Sequence, residues 1–300
     1  MDRLESMSLL LAVVEAGSLS AAARKVGMPL ASLSRKISDL ERHLDARLFN
    51  RSTRQLSLTD AGRSYVAACR RILDDIGEAE RAVAGEYSAA RGELAITAPI
   101  LFGQLHVLPV VTEFLTAYPD VDVRMDLSDH VTHLLDEHID VGLRIGSLPD
   151  SSLMAARVGV MRWVVCASPD YLATHGEPHQ PEALAGHACV SFERLFGGAQ
   201  WLFQQDGQLK EISMHARLRV NTAAAAVEAA VEGTGIVRVF AYQAEGAIRS
   251  GKLKTILEAY EPEPAPVHLV YPGQGQLPLK LRAFLDFAAP RLRARLSSTS

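Results

Sequence analysis

A multidomain chain is predicted: a small helical head carrying a β wing, a connecting helix, and a two-lobed α/β body. Three observations predict it. The 300 residues exceed a usual single domain. Charge is divided along the chain: residues 1–59 hold nine Lys/Arg against six Asp/Glu, whereas residues 60–300 hold 22 against 29. Helix-period patterning fills residues 1–88, and strand-like and helix-like segments alternate from residue 92 onward.

The head is read first. Asp2 and Glu5 have capping-box spacing, and Leu4, Met7, Leu11 and Val14 form the stripe of an amphipathic helix that Gly17 stops. Ser20 is the expected N-cap of a short helix, Ala21 to Val26, whose small alanines let another helix cross closely. Gly27 supplies a tight turn. The next helix is expected from about Ala31 to Leu44, with Leu33, Ile37, Leu40 and Leu44 facing the core. Ser32, Ser34, Arg35 and Lys36 lie in its opening turns. Two helices around a tight turn, the second polar and basic on its outer side, are the pattern of a helix-turn-helix. Residues 24–54 are its most basic stretch, eight cations against three anions, as phosphate contact requires. Residues 51–58 alternate like a strand and read as a wing bearing Arg51, Thr53 and Arg54. The candidate DNA-contacting set is Ser20, Ser32, Ser34, Arg35, Lys36, Arg51, Thr53 and Arg54. A helical bundle with a solvated basic face is the plainer alternative.

Thr59-Asp60 opens the connecting helix. Val66, Cys69, Leu73, Ile76, Val83 and Tyr87 occupy a and d positions of a heptad register, broken by Glu80 and flanked by charge. Pairing with a second copy and packing onto its own domain both fit this pattern. Residues 88–92 read as a hinge. The domains expected are thus 1–58, 59–88 and 92–300.

In the body, strands are expected at 93–97, 121–127, 141–145, 163–168, 214–220, 235–239 and 267–271. Helices are expected from about 100 to 117, over 131–137 and 222–232, and from 277 to about 296. The pattern restarts at Trp163, so one lobe comprises about 92–162 with 267–300 and the other about 163–266. The two crossings frame a cleft. Residues 261–266 form a stiff, proline-rich connector.

Ligands of such sheets sit beyond strand C-termini, where helix N-termini offer donors to anions. Thr97, Ala98, Phe102 and Gly103 mark one junction and Thr222 the opposing one. Ser128 and Asp129 end one strand, and Arg144, Gly146 and Ser147 end another. Phe196 and Phe240 supply apolar wall. A small carboxylate suits the set, with Arg144 or backbone amides as its partner. Plainer roles fit as well: Thr97 and Thr222 as helix caps, Arg144 as the partner of Asp140 or Asp129. His130, His133 and His138 lack the Cys or acidic ligands that would complete a metal site. No phosphate loop or nucleophile elbow occurs, so no enzyme and no cofactor are expected. Composition is that of a core-forming chain, 48% apolar and 22% charged. Cys69, Cys166 and Cys189 are odd in number and far apart, as in a reducing compartment. With no run of 18 apolar residues and no signal-peptide pattern, no membrane contact and a cytoplasmic location are expected.

Residues 1–62 resemble the DNA-binding domain of LysR-type transcriptional regulators. The matching stretches are Glu15-Ala-Gly-Ser-Leu-Ser-Ala-Ala-Ala23, Ser34-Arg-Lys-Ile37, Leu40-Glu41, Leu44, Leu48-Phe-Asn-Arg-Ser-Thr-Arg54 and Leu58-Thr-Asp-Ala-Gly62. Two departures stand out: Ala31 where the family usually has proline, with Pro29 early instead, and Asp45 where it has glycine. The body echoes the family in Gly92-Glu-Leu-Ala-Ile96, Asp140-Val-Gly-Leu-Arg-Ile-Gly146, Pro169-Asp-Tyr-Leu172 and Gly233-Thr-Gly-Ile236. The resemblance implies a winged head, a type 2 periplasmic-binding-protein-like effector domain and a homodimer or homotetramer paired through the linker helix. It also implies a pseudo-palindromic double-stranded operator and a small-molecule effector. A stand-alone solute-binding protein, the fold's other main use, lacks the head.

Overall fold

A computed structural model describes residues 2–51, 56–83, 90–130, 134, 137, 139–149, 152–192, 200–273 and 277–297. They form two compact units, 1–89 and 90–300.

In the first unit, α1 (Arg3–Ala16) is capped by Asp2, whose carboxylate accepts from the Leu4 and Glu5 amides at 3.0 and 3.2 Å. The reciprocal half of the capping box is not formed, because Glu5 turns to Lys36 instead. Gly17 ends α1 with φ of 68°, a left-handed conformation glycine adopts without strain. The next helix, α2 (Leu19–Lys25), begins earlier than expected. Ser18, not Ser20, is its cap, accepting from the Ala21 amide at 3.2 Å. Then α3 (Leu30–Leu44) buries Leu33, Ile37 and Leu40. Strands β1 (Phe49–Arg51) and β2 (Leu56–Leu58) pair antiparallel as the base of the wing. The long helix α4 (Asp60–Val83) follows, and Thr59 accepts from its Gly62 amide at 2.9 Å. Val66 and Cys69 are buried in the same core as Leu10, Val13, Leu33 and Leu48. The first heptad positions therefore pack onto the head. Leu73 and Ile76 remain half-buried, beside an exposed Ile72. Tyr87 and the hinge residues Ser88 and Ala89 lie outside the described residues.

The second unit has two lobes, each built on a five-stranded sheet. The chain enters by β3 (Gly92–Ala98). A helical stretch follows: α5 (Ile100–Phe102), a π turn (Gly103–Val107) and α6 (Leu108–Ala117). By composition 100–117 is apolar enough to cross a membrane. Here Phe102, Val107, Val110, Val111 and Phe114 place one side of it in the first lobe's core. Next come β4 (Val121–Leu127), β5 (Val141–Ile145) and β6 (Leu153–Met161). The helix expected over 131–137 falls largely outside the described residues.

Past Arg162 the chain enters the second lobe: β7 (Trp163–Ala167), α7 (Pro169–His175), β8 (Ala188–Phe192), the hairpin β9 (Gln200–Gln205) and β10 (Gln208–Ser213), and β11 (His215–Val220). Asp206 and Gly207, at φ of 51° and 77°, make the hairpin's two-residue turn. Then follow α8 (Ala223–Val231), β12 (Ile236–Phe240), α9 (Ala241–Arg249) and β13 (Lys254–Ile256). The return strand β14 (Ala265–Pro272) and α10 (Leu279–Ser297) complete the first lobe. Its sheet order is β4-β3-β5-β14-β6, and the second lobe's is β11-β8-β12-β7-β13. The crossings expected near 163 and 266 thus lie at Arg162 and just before Ala265. The strand β6 was not anticipated. It is an antiparallel edge strand of mixed exposure paired with β14 alone, so it lacks both strict alternation and an apolar run.

Candidate functional site

Two candidate sites follow from this architecture, one in each unit. On α3 the core-facing Leu33, Ile37 and Leu40 fix the helix's rotation. Arg35 is then exposed on the opposite side, as are Ala31 and Arg42. Arg35 has no ion pair among the described residues, whereas Arg42 pairs with Asp39 at 2.9 Å. Lys36 lies at the edge of the buried stripe, half-buried against α1, and forms an ion pair with Glu5. The expectation grouped it with Arg35 as a DNA contact. Ser32 and Ser34 are half-buried flanking residues, and Ser20 is exposed on α2. Arg51 belongs to β1; Thr53 and Arg54 lie outside the described residues.

Two departures from the resemblance acquire a location. Pro29 stands immediately before α3, and its carbonyl accepts from the Ser32 and Leu33 amides at 3.0 and 3.1 Å. Asp45 ends α3 with φ of 48°, the left-handed region that favours glycine. The wing is tied to α3 by Glu41, whose Oε1 accepts from the Leu48 and Phe49 amides at 2.8 and 3.3 Å.

In the body, the β3–α5 junction differs from expectation. Its helix N-terminus is already occupied by an anion of the chain itself: Asp129, buried, accepts from the Ile100 amide at 3.0 Å. Thr97 is fully buried within the sheet and caps no helix; its Oγ1 has no hydrogen-bond partner among the described residues. Ala98 and Phe102 are fully buried core residues, and Gly103 lies close under Leu127, whose Cδ2 would stand 2.3 Å from a Cβ added there and would have to move aside. Phe102 contacts His106 and Tyr242 through their rings. Ser128 accepts from the His130 amide at 3.1 Å. Across the body, Thr222 caps α8, accepting from the Ala225 amide at 3.3 Å. Arg144 is half-buried and donates to its neighbour's Leu143 carbonyl at 3.1 Å. Phe196, His133 and His138 lie outside the described residues.

A pocket of about 630 Å³ lies elsewhere, where the chain crosses between lobes. Gly146 and Ser147, past β5, contribute from the first lobe, as the sequence anticipated. Trp163 and Arg238 contribute from β7 and β12, and Leu202 and Leu209 from the hairpin. Pro262, Glu263 and Pro264 of the connector close one side, with Ala265 and Pro266 of β14. Phe240, expected as wall, is 1% exposed and stacks behind Trp163 at 3.9 Å.

Arg238 has no counterpart in the sequence-derived set. Strand alternation puts Val237 and Val239 into the cluster around α8 and turns Arg238 to the other face. Its guanidinium lies 4.3 Å from the Trp163 ring centroid, and only 9% of the residue is exposed. Burial holds its pKa down, to about 10. Its Nε has no hydrogen-bond partner, and no carboxylate pairs with it among the described residues. The signal in the sequence was a single cation amid the apolar run Ile236-Val-Arg-Val-Phe240.

Comparison with known proteins bears on both sites. Residues 4–63 match the family described as bacterial regulatory helix-turn-helix protein, lysR family, and residues 88–293 match the LysR substrate binding domain. A transcriptional regulator of Xanthomonas campestris is 34% identical, covering 93% of this chain and 83% of its own. The transcriptional activator AaeR of Escherichia coli is 32% identical, covering 95% of this chain and 93% of its own. A transcriptional repressor of Pseudomonas aeruginosa is 33% identical over 96% and 91% respectively. Among solved structures, CrgA of Neisseria meningitidis, titled a LysR-type transcriptional regulator, superimposes with a TM-score of 0.60 at 31% identity, covering 96% of this chain and 98% of its own. The full-length Vibrio cholerae virulence activator AphB gives 0.61 at 28%, covering 95% and 98%.

Proposed function

The chain belongs to the LysR-type transcriptional regulators, and from that premise we propose that it couples operator binding to the capture of an organic anion between its two lobes. It is a DNA-binding regulator with an effector-binding domain, and not an enzyme. The anionic class rests on one observation: the pocket at the lobe crossing is walled by elements of both lobes and includes a buried arginine, Arg238, that no carboxylate pairs with among the described residues. Gly146 and Ser147 form its first-lobe edge. The DNA-contacting set is Ser20, Ser32, Ser34 and Arg35 on the helices, with Arg51, Thr53 and Arg54 of the wing; Lys36 contributes less because Glu5 neutralises it.

Two heads reading a pseudo-palindrome multiply the affinity of one, so a homodimer or a tetramer is the working form. Leu73 and Ile76 of α4, with the heptad beyond them, supply the pairing face, the plainer packing role having been taken by Val66 and Cys69. A cytoplasmic location follows from operator binding. An effector that binds one lobe arrangement better than another shifts the spacing of the heads, by no more than that difference in affinity.

The test is selection of genomic fragments by the full chain and by a chain lacking residues 1–58. Fragments retained only by the full chain, and released or shifted by an organic acid, support the proposal. Retention by the truncated chain, or indifference to every acid tried, refutes it.

A further inference from the structure

We infer that Arg238, backed by Trp163, receives the carboxylate of a compact apolar monocarboxylic acid; this rests on the reading that the effector is an organic anion. Four observations converge. First, a guanidinium that is 9% exposed with an unpartnered Nε is costly unless something neutralises it. The Trp163 face at 4.3 Å offsets part of that cost and accepts no hydrogen bond in the plane of the guanidinium. Arg238 lines the pocket, so a carboxylate held there can accept from its guanidinium and neutralise it.

Second, the space fits. A volume of about 630 Å³ lies within the range of small-ligand pockets. Its Leu202, Leu209 and proline walls suit a hydrocarbon body, while Gln200 and Gln204 of the same hairpin add polar groups to the wall. Third, charge sets the number of carboxylates. Arg238 is the Lys/Arg among the described wall residues, and Glu263 shares the wall, so a second carboxylate meets repulsion. Fourth, the rival junction is filled. The amide of Ile100 is satisfied by Asp129, whose buried carboxylate disfavours another anion there.

Arg238 and Trp163 lie on neighbouring strands of one lobe, while Gly146 and Ser147 belong to the other. An acid anchored on Arg238 therefore contacts both lobes at once, which makes its affinity depend on their arrangement.

The experiment uses the full chain and three matched probes: cyclohexanecarboxylate, its neutral carboxamide, and cyclohexane-1,4-dicarboxylate. Binding is followed by calorimetry and by tryptophan emission, since Trp163 lines the pocket and Trp201 is the chain's other tryptophan. The monocarboxylate should saturate and shift the emission; carboxamide and dicarboxylate should bind at least about 10-fold more weakly. Arg238→Met should weaken the monocarboxylate by about 10- to 100-fold, with circular dichroism confirming the fold. Arg238→Lys, which keeps the charge and loses the fork, should fall between and serves if the Met variant does not fold. Undiminished binding by either variant overturns the assignment. Should Arg144→Gln abolish binding while the Arg238 variants retain it, the anionic reading stands and this site falls. If no acid saturates the wild-type chain up to roughly 10 mM, both fall.

Discussion

Replacing Gly62 by alanine should loosen the head and leave the body intact. A Cβ at Gly62 would stand 2.1 Å from the Leu48 carbonyl oxygen, where real contacts keep at least 3.0 Å. The helix and the wing base must separate by roughly 1 Å, a backbone overpacking that costs about 1–3 kcal/mol. The same carbonyl accepts from the Thr59 amide at 3.0 Å, and the shift weakens that bond by about 1 kcal/mol. Alanine's helix preference offsets about 1 kcal/mol. The net loss is about 1–3 kcal/mol, a large share of a small module's stability. Hydrogen exchange by mass spectrometry reads it directly: amides of residues 2–51 and 56–83 should exchange about 5- to 150-fold faster, and those of the body should not change. Gly186→Ala is the control, since nothing lies within 4 Å of its added Cβ. Unchanged head protection in Gly62→Ala, or equal loosening in the control, would refute the close approach as the reason for this glycine.

Four further outcomes are expected. Asp45→Gly removes a non-glycine residue from φ of 48° and should raise the head's unfolding free energy by up to about 1 kcal/mol in urea melts; a loss of stability would show that the aspartate side chain makes a compensating bond. Arg35→Ala should weaken operator binding about 10-fold and, if the contact is to phosphate, reduce the salt slope by about 1, whereas Lys36→Ala should do less; equal effects in gel shifts contradict the Glu5 pairing. Thr97→Val replaces a buried hydroxyl that lacks a partner and should be neutral or stabilising by about 1 kcal/mol in the body; clear destabilisation would reveal a bonded hydroxyl. Burial, with help from Arg295 and against Glu245, lowers the His106 pKa. The unfolded chain therefore takes up that proton first, so this contribution is whole above the usual imidazole value near 6.5 and fades as pH falls below it. Urea midpoints should drop between pH 7 and 5, and His106→Gln should flatten the drop; an unaltered slope excludes His106 as a source.

The head was legible at the level of individual residues because its determinants are local. Asp2, Gly17 and Thr59 act through backbone groups within a few positions, and the Leu33–Ile37–Leu40 spacing alone rotates Arg35 outward. The cap of α2 was displaced to Ser18 because two serines compete two positions apart, and only the backbone at Ser18 is extended. The heptad pattern was legible too, but not its use. A seam of apolar residues states that something covers it, and tertiary packing assigned Val66 and Cys69 to the head's core.

The body's lobes and crossings could be read from the restart at Trp163 and the return near residue 265, since alternating strands and helices admit few topologies. The contacts that surround the candidate ligand sites could not. A helix N-terminus marks a place for an anion, but sequence does not say that Asp129, 29 residues from Ile100, already fills it. Nor does it say that Phe240 lies behind Trp163, or that Arg238 lies over that ring with its Nε lacking an acceptor among the described residues. Sequence determined the elements and their order, because local propensity and periodicity act within one segment. Which charges meet, and which buried donor is left waiting, depends on residues far apart in the chain, and only the tertiary structure decided that.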